Sequence, residues 1–444
     1  LKNAINLKLI NKLAIPALIS GISEPILSIT DTAIIGNVQV NAVESLGAVG
    51  IVGAFMSMLI WVFGQTRSAI SSIVSQYVGA NNLEAVKNLP SQAIFIVTSI
   101  SLLIILTTYP LASEIFKLYN ASDLILDYSV MYYKIRVFGF PFTLFTIAVF
   151  GTFRGLQNTF YPMIIAIIGA LANIILDYIL VYGIQDYIEP MHIKGAAYAS
   201  VIAQIIMAIL SAIYLLTKTS IPLMVSFPFN KEIKRFGIMV ANLFVRTVAL
   251  NVTLYFATRF ATGYGKNFIA AYTIAINLWF LGAFIIDGYS SAGNILSGKF
   301  YGAKDYKSLV TLNQKLIKIG IIVGVVLALI GFIIYKPTGL LFTKEAPVLE
   351  KFYNVFWIVL LMQPICSIAF IFDGVFKGLG KTEVLRNLLL VSTFIVFVPL
   401  VYTLDYFGFK LNGIFIALTF WMIARSVPLL IYFRKQFLQL AKNT

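Results

Sequence analysis

Asp31, in SITDTAIIG, and Asn173 and Asp177, in GALANIILDYILVYG, are two carboxylates and an amide set in runs otherwise apolar enough to lie in lipid. Asn173 and Asp177 are four residues apart and share one face of a helix. Two carboxylates and an amide supply oxygen ligands for a hard cation such as Na+, or a carboxylate pair that shares a proton. Ser200, in KGAAYASVIAQ, adds a hydroxyl from a stretch of small residues suited to close helix packing. A charge at bilayer depth costs at least about 2.5–3.5 kcal/mol, so it faces a cavity or a partner. Glu24, Arg67, Arg246, Asp287, Asp373 and Arg425 fall at similar depth. Glu24 lies two helical turns before Asp31, on the same face. Pro25 beside it removes a backbone hydrogen bond and makes a candidate hinge. Asp287 and Asp373 are each followed by Gly. They face a substrate cavity or gate, or they are ion-paired: Lys377 is one turn beyond Asp373, and Arg246 can neutralise either.

The elements that carry these residues follow from composition. The 444 residues are 59% hydrophobic and 11% charged, whereas soluble domains carry about 45–50% apolar and about 25% charged residues. The chain therefore reads as a polytopic membrane protein. Apolar runs of about 20 residues recur without strand-like alternation, so helices rather than a barrel satisfy the backbone. The expected fold is all-α, with about 12 transmembrane helices near 13–36, 46–77, 91–112, 129–152, 160–183, 195–217, 235–260, 268–299, 315–335, 352–376, 384–404 and 411–433. Alternate connections collect Lys and Arg, which places both termini in the cytoplasm of a cell inner (plasma) membrane protein.

The chain is also duplicated. SQYVGANNLEAV (75–86) aligns with GKFYGAKDYKSL (298–309), and GTFRGLQNT (151–159) with GVFKGLGKT (374–382), both at the same spacing of half the chain. Six spans in each half make the repeat parallel, about an axis along the membrane normal. The expected organisation is an N-lobe over 1–217, a cytoplasmic linker over 218–234 and a C-lobe over 235–444, around a central cavity. Two such bundles can rock to expose the cavity to each side in turn.

Several functions are disfavoured. The one Cys (Cys366) and one His (His192) make neither a disulfide framework nor a metal cluster. The net charge of +15 reflects cytoplasmic loops rather than nucleic-acid binding. GLGKT (378–382) ends like a phosphate-binding loop, but position 375 is Val where that loop needs Gly. Transport without ATP is then driven by an ion gradient, and no cofactor is expected. A lipid-transferring membrane enzyme needs clustered catalytic residues at one membrane face, and no such set is visible. No cleavable signal is visible either, and LKNAINLKLINK reads as an amphipathic lead into a retained first helix.

In DTAIIG, GANNLEAV, NIILDYILVYG, KGAAYASVIAQ, DGYSSAGNILSGKFYGAKD and DGVFKGLGKTEVLRN, over nearly its whole length, the chain resembles the multidrug and toxic compound extrusion (MATE) transporters, and within them the DinF-like branch. The resemblance implies cation-coupled export of small organic compounds, often cationic and aromatic, by a protein expected to be monomeric and not an enzyme. It also implies a cation or proton site at Asp31, Asn173, Asp177 and Ser200, where the family commonly has Thr in place of Ser200. The only metal expected is Na+ at Asp31, Asn173 and Asp177, with H+ the other candidate. The NorM-like branch carries an acid in the seventh span; here that span has only Arg246, so the N-lobe is the better location. The alternative function is a lipid-linked oligosaccharide flippase of the same broader superfamily, which should have a basic cavity.

Overall fold

Leu, Ile, Val, Ala and Phe dominate each run, and in lipid a backbone so clothed must satisfy its own hydrogen bonds. The computed structural model describes residues 6–22, 30–36, 38, 41–119 and 121–443. Glu24 and Pro25 lie outside the described residues. Helices follow one another throughout: α1 (Leu7–Gly21), α2 (Ala42–Phe63), α3 (Thr66–Gly79), α4 (Leu89–Thr108), α5 (Asp123–Arg136), α6 (Phe140–Gly155), α7 (Phe160–Tyr182) and α8 (Ile193–Lys218). The second half continues with α9 (Ile233–Gly263), α10 (Lys266–Gly302), α11 (Tyr306–Phe342), α12 (Ala346–Gly378), α13 (Thr382–Val391), α14 (Val398–Tyr406) and α15 (Lys410–Phe433). The longest non-helical connection among the described residues is 219–232, and the one β-bridge among them joins Ile184 and Ile188.

Eleven helices among the described residues are long and apolar enough to cross a membrane; the expected first span, 13–36, falls partly outside them. Several are longer than their apolar stretches. α10 and α11 have 37 residues each, about 55 Å of helix against about 30 Å of hydrocarbon.

The duplication extends to the helix boundaries. An offset of 223 residues carries Gly79, the end of one span, onto Gly302, and Leu83, the start of the next, onto Tyr306. The same offset superposes both ends of Asp123–Gly155 on those of Ala346–Gly378. These two spans also share a fate: 67% and 61% of their most apolar stretches are buried, more than in any other described span.

By packing, the chain forms two compact units. One holds the described residues up to Leu18, Ser75–Asn81 and everything from Ala241 onward; the other holds Ile19–Val74 and Asn82–Val240. The first will be called the C-terminal unit and the second the N-terminal unit. In the C-terminal unit, the end of α3 crosses α10 backbone to backbone. A Cβ on Gly79 would strike the Lys299 carbonyl, and one on Gly302 would strike the Gln76 carbonyl. The two contacts are counterparts under the repeat. Gln76 adds a hydrogen bond, its Nε2 donating to the Gly378 carbonyl at 2.7 Å. Neither backbone can yield without parting the helices, so Gly302→Val should cost about 3 kcal/mol or more. Gly237→Ala, where nothing lies within 4 Å of the added carbon, should be neutral or slightly stabilising. Thermal unfolding of the purified protein in detergent measures both.

Candidate cation site

Three helices of the N-terminal unit converge on Asp31, which sits in a helical stretch at 30–35. α5 brings Tyr132 and Arg136, one turn apart; α7 brings Asn173 and Asp177; α8 brings Ser200. The Tyr132 hydroxyl donates to Asp31 Oδ2 at 3.0 Å and the Ser200 hydroxyl to the same oxygen at 2.8 Å. Asn173 Nδ2 points at Asp31 Oδ1 at 3.5 Å and at Ser200 Oγ at 3.4 Å. Arg136 Nη1 lies 3.8 Å from Asp31 Oδ2, with its guanidinium 5.9 Å from the Tyr132 ring centre. The Asp177 carboxyl is in reach of the Asp31 carboxyl. Asp31 is 1% exposed, and Asn173, Asp177 and Ser200 are 0% exposed. The structure thus brings together the four residues singled out from sequence.

What these groups leave over is informative. Both Asp177 oxygens and Asn173 Oδ1 are buried and accept no hydrogen bond among the described residues. Buried acceptors are nearly always satisfied, and each that is not costs free energy. Two facing carboxylates are acceptors only, so nothing binds them to each other until a proton or metal cation enters between them. The formal charges agree: with both carboxyls ionised, Asp31 and Asp177 would carry two negative charges against one positive on Arg136, so one monovalent cation would make the cluster neutral.

Tyr132 and Arg136 were missed by the sequence reading, although both fall within the expected span 129–152. A signal existed: they are four apart, on one helix face, and two buried acids call for a buried base. The repeat also shows that the cluster occurs once. At the offset of 223, Tyr132, Arg136, Asn173 and Asp177 correspond to Val355, Val359, Val396 and Leu400, all aliphatic, and α9 carries no acid.

The charged residues expected in the second half form a different arrangement, inside the C-terminal unit. Asp373 on α12 is held by Arg246 of α9, Nη2 to Oδ1 at 2.6 Å, and by Lys377, Nζ to Oδ2 at 2.9 Å. Asp373 and Arg246 are each 6% exposed. Of the two readings for Asp373, the geometry is that of an ion pair. Asp287 on α10 is exposed. Arg425 on α15 is buried beside Trp421, its guanidinium 4.6 Å from the indole centre.

A duplicated bundle of helices long and apolar enough to cross a membrane, with a buried acidic cluster in one half, defines a multi-pass membrane protein. The sequence profile of MatE matches residues 16–179 and 238–403, and the chain belongs to that family. It is 24% identical over 428 residues to DNA damage-inducible protein F of Escherichia coli K12, covering 95% of this chain and 91% of that one. It is 25% identical to Protein DETOXIFICATION 44, chloroplastic, of Arabidopsis thaliana, covering 94% and 80%. Three further plant relatives are matched over about half of their own length. Among solved structures, a MATE protein crystallised in a bent conformation superposes with a TM-score of 0.91 at 20% identity, covering 98% of this chain and 96% of that one. The resemblance read from DTAIIG through DGVFKGLGKTEVLRN is borne out, as is the all-helical fold. Proteins of this family are transporters, not enzymes.

Proposed function

We propose that the protein is a secondary active efflux antiporter that exports small organic compounds in exchange for H+ or Na+ by alternating access. The observation that carries this reading is the set of three buried oxygens, two on Asp177 and one on Asn173, that no donor reaches. A relative from Thermotoga maritima is named a probable multidrug resistance protein, NorM, which supports a broad organic cargo. The distribution of Lys and Arg supports an inner (plasma) membrane protein with both termini cytoplasmic, acting as a single chain.

In the proposed cycle, the outward-open state admits a cation to Asp31 and Asp177. Neutralising the pair removes its repulsion and lets the helices carrying it draw together. Bound cargo then loses its electrostatic and steric hold. Return to the inward-open state releases the ion to the cytoplasm and restores the charge. A ligand drives such a transition only as far as it prefers one state, and a buried acid pair supplies that preference.

The test is efflux from proteoliposomes under an imposed pH gradient, with and without Na+. Efflux that follows either gradient is the expected outcome. Efflux indifferent to both would defeat the antiport reading.

A further inference from the structure

The C-terminal unit holds more buried positive charge than its acids balance. Arg246 and Lys377 occupy one oxygen each of Asp373. The exposed Asp287 acts electrostatically on Lys377. Arg425 is what remains. It is 4% exposed, yet no carboxylate lies within 4.0 Å of it among the described residues, and its one polar contact runs from Nη1 to the thioether sulfur of Met422 at 3.4 Å. Its Nε and Nη2 make no hydrogen bond, and neither is among the fully buried unpartnered atoms. Those two nitrogens are therefore donors without a protein partner among the described residues. The guanidinium lies 4.6 Å from the Trp421 ring centre and 5.9 Å from that of Phe370.

An Arg side chain stays protonated in proteins, and a buried charge without a counter-ion is costly. Cation–π contacts offset part of that cost but leave the N–H donors unmet. The ligand that meets them is a planar anion, bound through two parallel N–H···O bonds. The aromatic rings beside the guanidinium favour an apolar, aromatic body attached to that anion.

We propose that Arg425 anchors the carboxylate of an aromatic organic anion within the C-terminal unit. If the chain is the exporter proposed above, solutes of this class are its cargo; the binding site itself does not depend on that reading. Asp373 already holds two cations, so Arg425 is the group left over.

The test uses the full chain in lipid nanodiscs, with empty nanodiscs subtracted, and three probes of one shape: 2-naphthoate, 2-naphthalenemethanol and 2-naphthylmethylammonium. Titration calorimetry should show 2-naphthoate binding roughly tenfold or more tightly than the other two, as expected for a charge-assisted pair. Arg425→Gln should abolish that preference without weakening the alcohol, and Arg425→Lys should keep part of it. The comparison of the three probes on the parent protein needs no variant, so it stands even if Arg425→Gln fails to fold. Equal binding of the ammonium and the carboxylate would overturn the proposal, as would a preference that survives in Arg425→Gln. Asp177→Asn, which lies in the other unit, should bind 2-naphthoate as the parent does. A parent protein that binds 2-naphthoate with this preference but shows no gradient-driven efflux would count against the antiport reading alone.

Discussion

Asp177→Asn should abolish ion-driven efflux while leaving the protein as stable as the parent or more so. The two halves of this result have one origin. Asp177 is completely buried, and its oxygens accept no hydrogen bond among the described residues, so the fold gains nothing from its charge and bears the cost of burying it. The amide keeps the shape and removes the charge that attracts the coupling ion. Flux should fall about 100-fold or more, to the leak of protein-free vesicles, because the free energy at stake in an unpaired buried charge is about 3 kcal/mol or more. Asp31→Asn should abolish coupling equally but with a different stability. Asp31 receives Tyr132 and Ser200 on one oxygen and faces Arg136 at 3.8 Å. Its neutralisation removes the carboxylate facing Arg136 and weakens the charged acceptor of two hydroxyls, at a cost of about 2–3 kcal/mol. The measurements are gradient-driven efflux and thermal unfolding in detergent for both variants. Full efflux by Asp31→Asn or Asp177→Asn sinks the assignment of the coupling site.

Asp373→Asn should be the most damaging single substitution among the charged residues, with a loss of about 3–5 kcal/mol. Asp373 is the one buried acid that pairs with Arg246 and Lys377. Without its charge, two cations remain against an amide. Arg246→Met should cost less than half as much, because Lys377 still neutralises Asp373 across 2.9 Å. The contrast with Asp177→Asn is one of sign. An acid waiting for a cation loses nothing in stability when neutralised, whereas an acid already holding two cations loses a great deal. Unfolding midpoints of Asp177→Asn, Asp373→Asn and Arg246→Met, measured side by side, decide between the two roles. An Asp373→Asn protein as stable as its parent would show that the carboxylate is not the anchor of this cluster.

The candidate site was legible in the sequence because the background was so apolar. In a run such as GALANIILDYILVYG, Asn173 and Asp177 stand out by their cost alone, and their four-residue spacing fixes one helix face. Ser200 needed the resemblance to stand out from other small residues. Arg136 was harder to find. It sits in SVMYYKIRVFG, next to Lys134 and three Tyr or Phe residues, a composition that equally suits a membrane interface. Its burial depends on the turn at Val137–Gly139, which joins α5 and α6 into one span; no local pattern announces it. The pairing of Asp373 was half legible: Lys377 follows at i+4, but the approach of Arg246 is a tertiary contact across 127 positions of chain, from 246 to 373. The repeat was legible from two matched segments, and the helix boundaries extend it.

That the acidic cluster has aliphatic counterparts at Val396 and Leu400 bears on how hard such a carrier can pump. Under the proposed exchange, a single monovalent ion is admitted per turnover, and no second ion contributes. A tenfold ion gradient is worth about 1.4 kcal/mol, so with uncharged cargo and no membrane voltage it sustains at most a tenfold outward excess. Under that same proposal, keeping the acids in one half of the repeat would set the exchange at one ion per cargo molecule.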